Sequence, residues 1–450
     1  MKKNKYEIDM CNGTIMDKLI SFSLPLMVSG ILQLMFNAVD IIVVGRFSGS
    51  QALAAVGSTT ALINVFINLF MGISLGANVL AARYYAAGRD REMSETVHTS
   101  IMLALISGVV MAFVGVFFTK GALELMDTPA DVIDQSALYM RIYFMGMPFF
   151  MLYNYGAAIL RAVGDTKRPL YFLIVSGVIN AGLNMFLVIV FSLGVAGVAI
   201  ATVVSQAISC VLGCLYKSEG SYQLRFSKLC MKKDYIIPIF QVGIPAGIQS
   251  TVINFSNVLL QSSVNSFGSI AMAGYTAANN VLGFLYTSVN SVTQACMSFT
   301  SQNYGVGKYK RMDKVLIDCL ILSSGIALVM GGGAYLFGTE ILQIYTGDPE
   351  VIRCGMEILS ITTVPYFLCG IMDLFPGALR GMGCSAVPMI LSVIGTVGTR
   401  IVWIFGIFPQ HRSLYVLFIS YPGSWIITII MQVICYLIVR KKVHSRAAAV

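Results

Sequence analysis

The stretch LRAVGDTKRP at residues 160–169 returns as LRGMGCSAVP at 379–388, with Leu, Arg, Gly and Pro at identical spacing. Other stretches return in the same order. RYYAAGRDREM at 83–93 aligns with QNYGVGKYKRM at 302–312, Pro25 and Asn37 align with Pro245 and Asn257, and ALA at 52–54 aligns with AMA at 271–273. Every pair is separated by the same length of chain to within a single position, so the chain is one plan written twice.

Each copy is apolar. Of the 450 residues 57% are hydrophobic and only 11% are charged, and the mean hydropathy is +0.79. Soluble domains carry about 25% charged residues. Crossing a ~30 Å hydrocarbon core takes about 20 apolar residues. Twelve segments qualify, at 19–44, 52–82, 97–118, 133–160, 170–192, 195–216, 235–266, 271–301, 314–337, 351–379, 387–408 and 413–439. The break between the fifth and sixth rests on SLG at 192–194 alone. The runs are continuous, whereas the strands of a membrane barrel alternate with period two. Six helices per copy is an even number, so both copies enter the membrane in the same orientation. That is a parallel repeat about an axis along the membrane normal, one of the plans of secondary transporters. The chain therefore reads as an all-α polytopic membrane protein with twelve transmembrane helices in two parallel-repeat six-helix lobes. The expected division is an N-terminus at 1–18, a first lobe at 19–216, a linker at 217–234, a second lobe at 235–439 and a tail at 440–450.

The net charge of +9 invites a nucleic-acid partner, but its placement argues otherwise. Twenty-four of the 30 basic residues fall at the termini and at alternate helix boundaries, among them Arg83, Lys167, Lys232, Lys308 and Lys441. The opposite loops hold Arg46, Lys120, Arg353 and Arg412 against acids such as Glu124, Asp134, Glu340 and Glu350. The positive-inside rule then puts both termini in the cytoplasm of a multi-pass plasma-membrane (cell inner membrane) protein. No cleavable signal peptide is evident, since the first apolar run is long and lacks a small-residue cleavage site. The ten cysteines form no CxxC pair, which argues against a zinc site or a disulfide framework.

Polar residues within the apolar runs are the candidates for function. Asp40 stands alone in LMFNAVDIIVVGRFSG at 34–49, where a charged residue at a helix centre costs roughly 2.5–3.5 kcal/mol on insertion scales. It either snorkels outward or pairs with Arg46, or it faces an aqueous cavity. Gln33, Asn37 and Asp40, spaced four then three, share one helical face and favour the cavity. Asn64 and Asn68, Asn180 and Asn184, and Thr202 and Gln206 are each four apart on their helices, and Asn154 lies in the fourth segment. Amide and hydroxyl oxygens can ligate Na⁺ or hydrogen-bond a carboxyl group; they can also serve only as interhelical glue. The second half carries Asn254, Asn257 and Gln261 at helical spacing, and Asp373 in its fourth helix.

The opening PLM…N.VD…VGR.SG..ALAAVG, together with ILRAVGDTKRP, GVAGVAIATVVSQ and the echo GALRGMG, resembles the multidrug and toxic compound extrusion (MATE) family from about Leu19 to Val439. The resemblance implies two six-helix lobes in a V shape, alternating access, and export of organic compounds against H⁺ or Na⁺. It also implies a cation-coupling site at Asp40, Asn180, Asn184 and Thr202, with Na⁺ at Asp40 one option. The candidates lining the cavity are Gln33, Asn37, Asn64, Asn68, Asn154, Gln206, Asn254, Asn257, Gln261 and Asp373. Two departures stand out. Asn184 occupies a place where known prokaryotic members carry a second aspartate, and Cys369 occupies the place of an acid in the tenth helix of one branch.

Enzyme classes find no support, for there is no GxxxxGK[ST] phosphate loop and no HExxH motif, and His98, His411 and His444 lie at membrane edges. No cofactor is expected beyond the coupling ion. The expected partners are small organic substrates and the lipid bilayer, not nucleic acid, and the chain is expected to work as a monomer. The second functional candidate is a lipid or lipid-linked oligosaccharide flippase of the same superfamily. Such a flippase calls for cations in its cavity, for which Arg141 and Arg400 are the candidates, whereas Asp40 favours cationic amphiphiles.

Overall fold

The structure, a computed structural model, describes residues 6–126, 128–129, 131–215, 224–225 and 229–448. Most of the polar stretch at 217–234 thus lies outside the described residues, as does Asp127. The described residues are helical almost throughout. The first half comprises α1 (Met16–Phe47), α2 (Ser50–Ala86), α3 (Asp90–Leu125), α4 (Ile133–Met145), α5 (Met147–Ala162), α6 (Lys167–Met185) and α7 (Gly194–Leu215). The second comprises α8 (Lys233–Asn265), α9 (Ser269–Gly305), α10 (Tyr309–Leu336), α11 (Gly338–Gln343), α12 (Pro349–Thr362), α13 (Tyr366–Gly381), α14 (Ala386–Ser392), α15 (Thr399–Val402), α16 (Leu414–Phe418) and α17 (Ser420–Ala448).

Among the described residues nine helices are long and apolar enough to cross a membrane, and α12 with α13, bent by 51° at their junction, makes a tenth span. The other two expected segments are the pair α4–α5 and the polar-rich α9. Both halves break their fourth span at corresponding places. α4 yields to α5 at Gly146, with Pro148 in the first turn of α5, and α12 yields to α13 beside Pro365, which stands where the repeat places Gly146. Proline lacks the N–H that a continuous helix needs and clashes with the preceding turn. The fifth spans are wound alike too. α6 ends in a π-helical turn at Phe186–Val190, and α14 and α15 are joined and followed by π-helical turns at Val393–Gly398 and Trp403–Ile407. Between α6 and α7 the chain turns through Ser192 at φ 54 and Gly194 at φ 54, within the weakly signalled SLG.

The repeated glycines have a backbone reason. Gly164 and Gly383 turn at φ 93 and φ 85, and Gly88 and Gly307 at φ 67 and φ 73, conformations that side chains rarely allow. In the first half, Asp165 follows Gly164 and is fully buried against Arg168, whose backbone N–H donates to its Oδ1 at 3.1 Å. Burial raises the Asp165 carboxyl, while the Arg168 guanidinium pulls it back down. The second half replaces this ion pair with Cys384 and Val387.

Contacts group the chain into two compact units, Met1–Ile8 with Val28–Gly247 and Asp9–Met27 with Ile248–Val450, so the dividing points fall inside α1 and α8. Small residues explain where the start of α8 belongs. Gly72 and Gly76 on α2 meet Gly243 and Gly247 on α8 so closely that a Cβ on Gly72 would collide with the Gly247 and Gly243 backbone, and one on Gly76 with the Ile239 carbonyl. Paired GxxxG faces of this kind let helices approach where lipid supplies no hydrophobic drive. Glu95 on α3 fastens the same end, accepting from Lys232 Nζ at 2.5 Å and Tyr235 Oη at 2.7 Å. The core of the first unit centres on Phe144, Met147, Met151 and Tyr155. That of the second unit centres on Leu285, Tyr366, Phe418 and Trp425.

Candidate functional site

Asp40 lies half-buried in the C-terminal part of α1, brought against α6 by close packing one turn earlier, where a Cβ on Gly177 would collide with the Phe36 ring. The Asn184 amide Nδ2 donates to Asp40 Oδ1. From there a polar chain runs on to α7. Asn184 Nδ2 also donates to Asn180 Oδ1 at 3.4 Å, and Asn180 Nδ2 lies 3.5 Å from both Thr202 Oγ1 and Ser205 Oγ on α7. The two hydroxyls are themselves fixed, donating to the carbonyls of Val198 at 3.0 Å and Thr202 at 2.8 Å. Asn184 is fully buried, and its Oδ1 has no hydrogen-bond partner among the described residues. The structure thus brings Asp40, Asn180, Asn184 and Thr202 together.

No basic side chain lies within 4.0 Å of Asp40 among the described residues, Arg46 included, so the carboxylate is held by neutral donors. A hydrogen bond to a charged group is worth about 1.5–3 kcal/mol, comparable to the ~2.5–3.5 kcal/mol of placing the acid in a membrane helix. Three further residues belong to the site. Ser205 sits one turn beyond Thr202, on the same face. Tyr139 and Tyr143, four apart on α4 with rings stacked at 6.0 Å, lie within electrostatic reach of Asp40. The YMRIY spacing at 139–143 was the available signal, but aromatic pairs are so common in membrane helices that it carries little weight alone.

The remaining candidates are more scattered. Gln33 and Asn37 are exposed and make no hydrogen bond to the cluster, and Asn64 is exposed on α2 with Asn68 half-buried one turn on. Asn154 is buried but donates along its own helix to the Phe150 carbonyl at 2.8 Å. Gln206 is half-buried beside the cluster without joining it. In the second half Asn254 is exposed, while Gln261 and Asp373 are half-buried. Among the described residues Asp373 forms no ion pair within 4.0 Å; Arg380 instead donates to Gln249 Oε1 at 2.7 Å.

Asn257 is occupied by a cation. Arg400 on α15, 3% exposed, donates through Nη1 to Asn257 Oδ1 at 2.8 Å and to Ser256 Oγ at 3.1 Å. Its guanidinium carbon stands 4.2 Å from the centroid of the Tyr421 ring on α17, a contact worth about 2 kcal/mol or more when desolvated. Arg141, the other mid-membrane cation of the sequence, is exposed on α4.

The helix order and the broken fourth spans are those of a fold that solved MATE transporters share. A solved outward-facing multidrug resistance MATE family transporter of the MOP superfamily superposes with a TM-score of 0.90 over 100% of both chains, at 19% identity. The MatE family model matches residues 25–186 and again residues 245–405, recovering the two copies read from the repeats. The chain belongs to the MatE family. The probable multidrug resistance protein YoeA of Bacillus subtilis (strain 168) is 31% identical over 432 residues, 94% of this chain and 93% of the relative. The probable multidrug resistance protein NorM of Thermotoga maritima is 27% identical over 402 residues, 86% of this chain and 84% of its own.

Proposed function

We infer that this MatE protein is a secondary active multidrug exporter in which Asp40 couples the efflux of organic compounds, cationic amphiphiles foremost, to the entry of H⁺ or Na⁺ by alternating access. Relatives named for multidrug resistance over nearly the whole chain support the transport class. The observation that carries the coupling is the carboxylate of Asp40, met by the Asn184 amide and, among the described residues, by no base. An ionised carboxylate inside a membrane span is costly, and either a proton or a Na⁺ neutralises it. A proton needs only the acid. A hard cation needs several oxygens, and Asp40, the Asn184 Oδ1 that has no partner among the described residues, and the hydroxyls of Thr202 and Ser205 supply oxygens of that kind. With one carboxylate in the cluster, one monovalent charge is neutralised per cycle. The half of the cycle in which Asp40 is charged attracts a cationic substrate, and the half in which it is neutralised releases it.

Dye efflux from energised vesicles, measured over a series of external pH and Na⁺ values, tests this. Asp40→Asn should insert normally and export nothing above empty vesicles, while Arg46→Ala should export normally. Wild-type export by Asp40→Asn with unchanged ion dependence would sink the assignment. The basic boundaries support cytoplasmic termini in the plasma membrane. A single reactive cysteine at Lys442→Cys should then resist an impermeant thiol reagent in intact cells and react in permeabilised ones.

A further inference from the structure

We propose that Arg400 is a built-in cation filling the second half's counterpart of the Asp40 ion site, so that only the first half of the molecule exchanges a mobile cation. The inference rests on the ion-site reading of Asp40. The displacement of 219 to 220 residues that relates the two copies carries Asn180 onto Thr399 or Arg400 and Thr202 onto Tyr421 or Pro422, so Arg400 and Tyr421 stand at or one place from the counterparts of Asn180 and Thr202. The structure supports the correspondence independently of counting. In the first half the fifth span meets the sixth through Asn180 and Thr202, and in the second half the same two spans meet through Arg400 and Tyr421.

Two exchanges have occurred at matching positions. Leu260, onto which the count that carries Asn37 onto Asn257 carries Asp40, is fully buried, so the acid is gone. Arg400 stands at or beside the amide's counterpart, so a cation has been added. Among the described residues no carboxylate lies within 4.0 Å of it, and its Nε has no hydrogen-bond partner. What surrounds the guanidinium is an amide oxygen from Asn257, a hydroxyl from Ser256 and an aromatic face from Tyr421. Neutral oxygens and a π-face are the donors that hold a small cation in a desolvated place. The first half offers its charge to whichever ion arrives; the second has its ion covalently attached. A fixed charge cannot dissociate during the cycle, so the place that Arg400 fills takes up no coupling ion.

The test compares Arg400→Lys, Arg400→Met and Arg400→Ala in the full chain. Arg400→Lys keeps the charge and should retain most of the efflux, whereas Arg400→Met, of similar length, should lose it. Purified Arg400→Ala should show a lowered Tm that rises towards wild type with methylguanidinium chloride but not with choline chloride at equal ionic strength; wild type should show no such difference. Equal performance of the Lys and Met variants overturns the proposal in favour of packing. If Arg400→Ala cannot be purified, the Lys–Met comparison decides alone. The outcomes separate from the Asp40 reading: active Asp40→Asn with an intact methylguanidinium rescue fails that reading only, and inactive Asp40→Asn with equal Lys and Met variants fails this one only.

Discussion

Asp40 in the first half and Arg400 in the second lie in membrane-spanning helices built on one plan, and each lacks an oppositely charged partner within 4.0 Å among the described residues. Around Asp40 the neighbours are amides and hydroxyls of α6 and α7. Around Arg400 they are an amide, a hydroxyl and a tyrosine ring of α8 and α17. Duplication therefore preserved the scaffold while the buried charge changed sign. Turns, breaks and π-helical windings persist because backbone geometry demands them at each copy. The polar residues are free to diverge, since none of those turns and breaks depends on them.

The contrast breaks most visibly at the acids. Asp40→Asn should abolish efflux, while Asp373→Asn should leave the ion dependence of efflux unchanged because, among the described residues, no amide side chain is seen donating to Asp373 as Asn184 does to Asp40. The reverse result in the same dye assay would transfer coupling to the second half. A second comparison lies at the repeated turn. Removing one member of a buried ion pair costs about 3–5 kcal/mol, so Asp165→Ala should sharply lower the yield and Tm of purified protein. The double variant Asp165→Cys, Arg168→Val, which copies Cys384 and Val387, should recover most of that loss. If it is no better than the single variant, the pair does more than hold the turn.

Gly177→Val forces the Phe36 ring away and should cost about 1–3 kcal/mol by overpacking. It should also weaken efflux, because the same contact holds α1 and Asp40 against α6. A loss of Tm with unchanged efflux would show that the Asp40 cluster tolerates a looser α1. The smallest effect is expected at Ser205→Ala, where a single neutral hydrogen bond of about 0.5–1.5 kcal/mol is removed. If Na⁺ is the coupling ion, the loss of one oxygen donor should raise the Na⁺ concentration giving half-maximal efflux; if H⁺ is, the pH profile should stay put.

Much of this molecule was legible in one dimension. Apolar run length forces helices that span a bilayer, because unpaired backbone amides are intolerable in lipid, and the constant displacement between matching motifs exposes the duplication. The helical spacing of Asn180 and Asn184, and of Thr202 and Gln206, marked the face on which a site lies. Sequence could not say that Asn184 reaches Asp40 across 144 residues while Gln33 and Asn37, on the same helical face as Asp40, reach nothing in the cluster. Ser205 shared the marked face, yet only the approach of α6 to α7 distinguished it from Gln206. Nor could sequence place Arg400 on Tyr421 and Asn257, since a lone arginine in an apolar run is equally consistent with snorkelling. Periodicity fixes which way a side chain points from its own helix. Which helix it meets depends on packing distances set by residues such as Gly177, Gly72 and Gly243, and those are decided only when the helices come together.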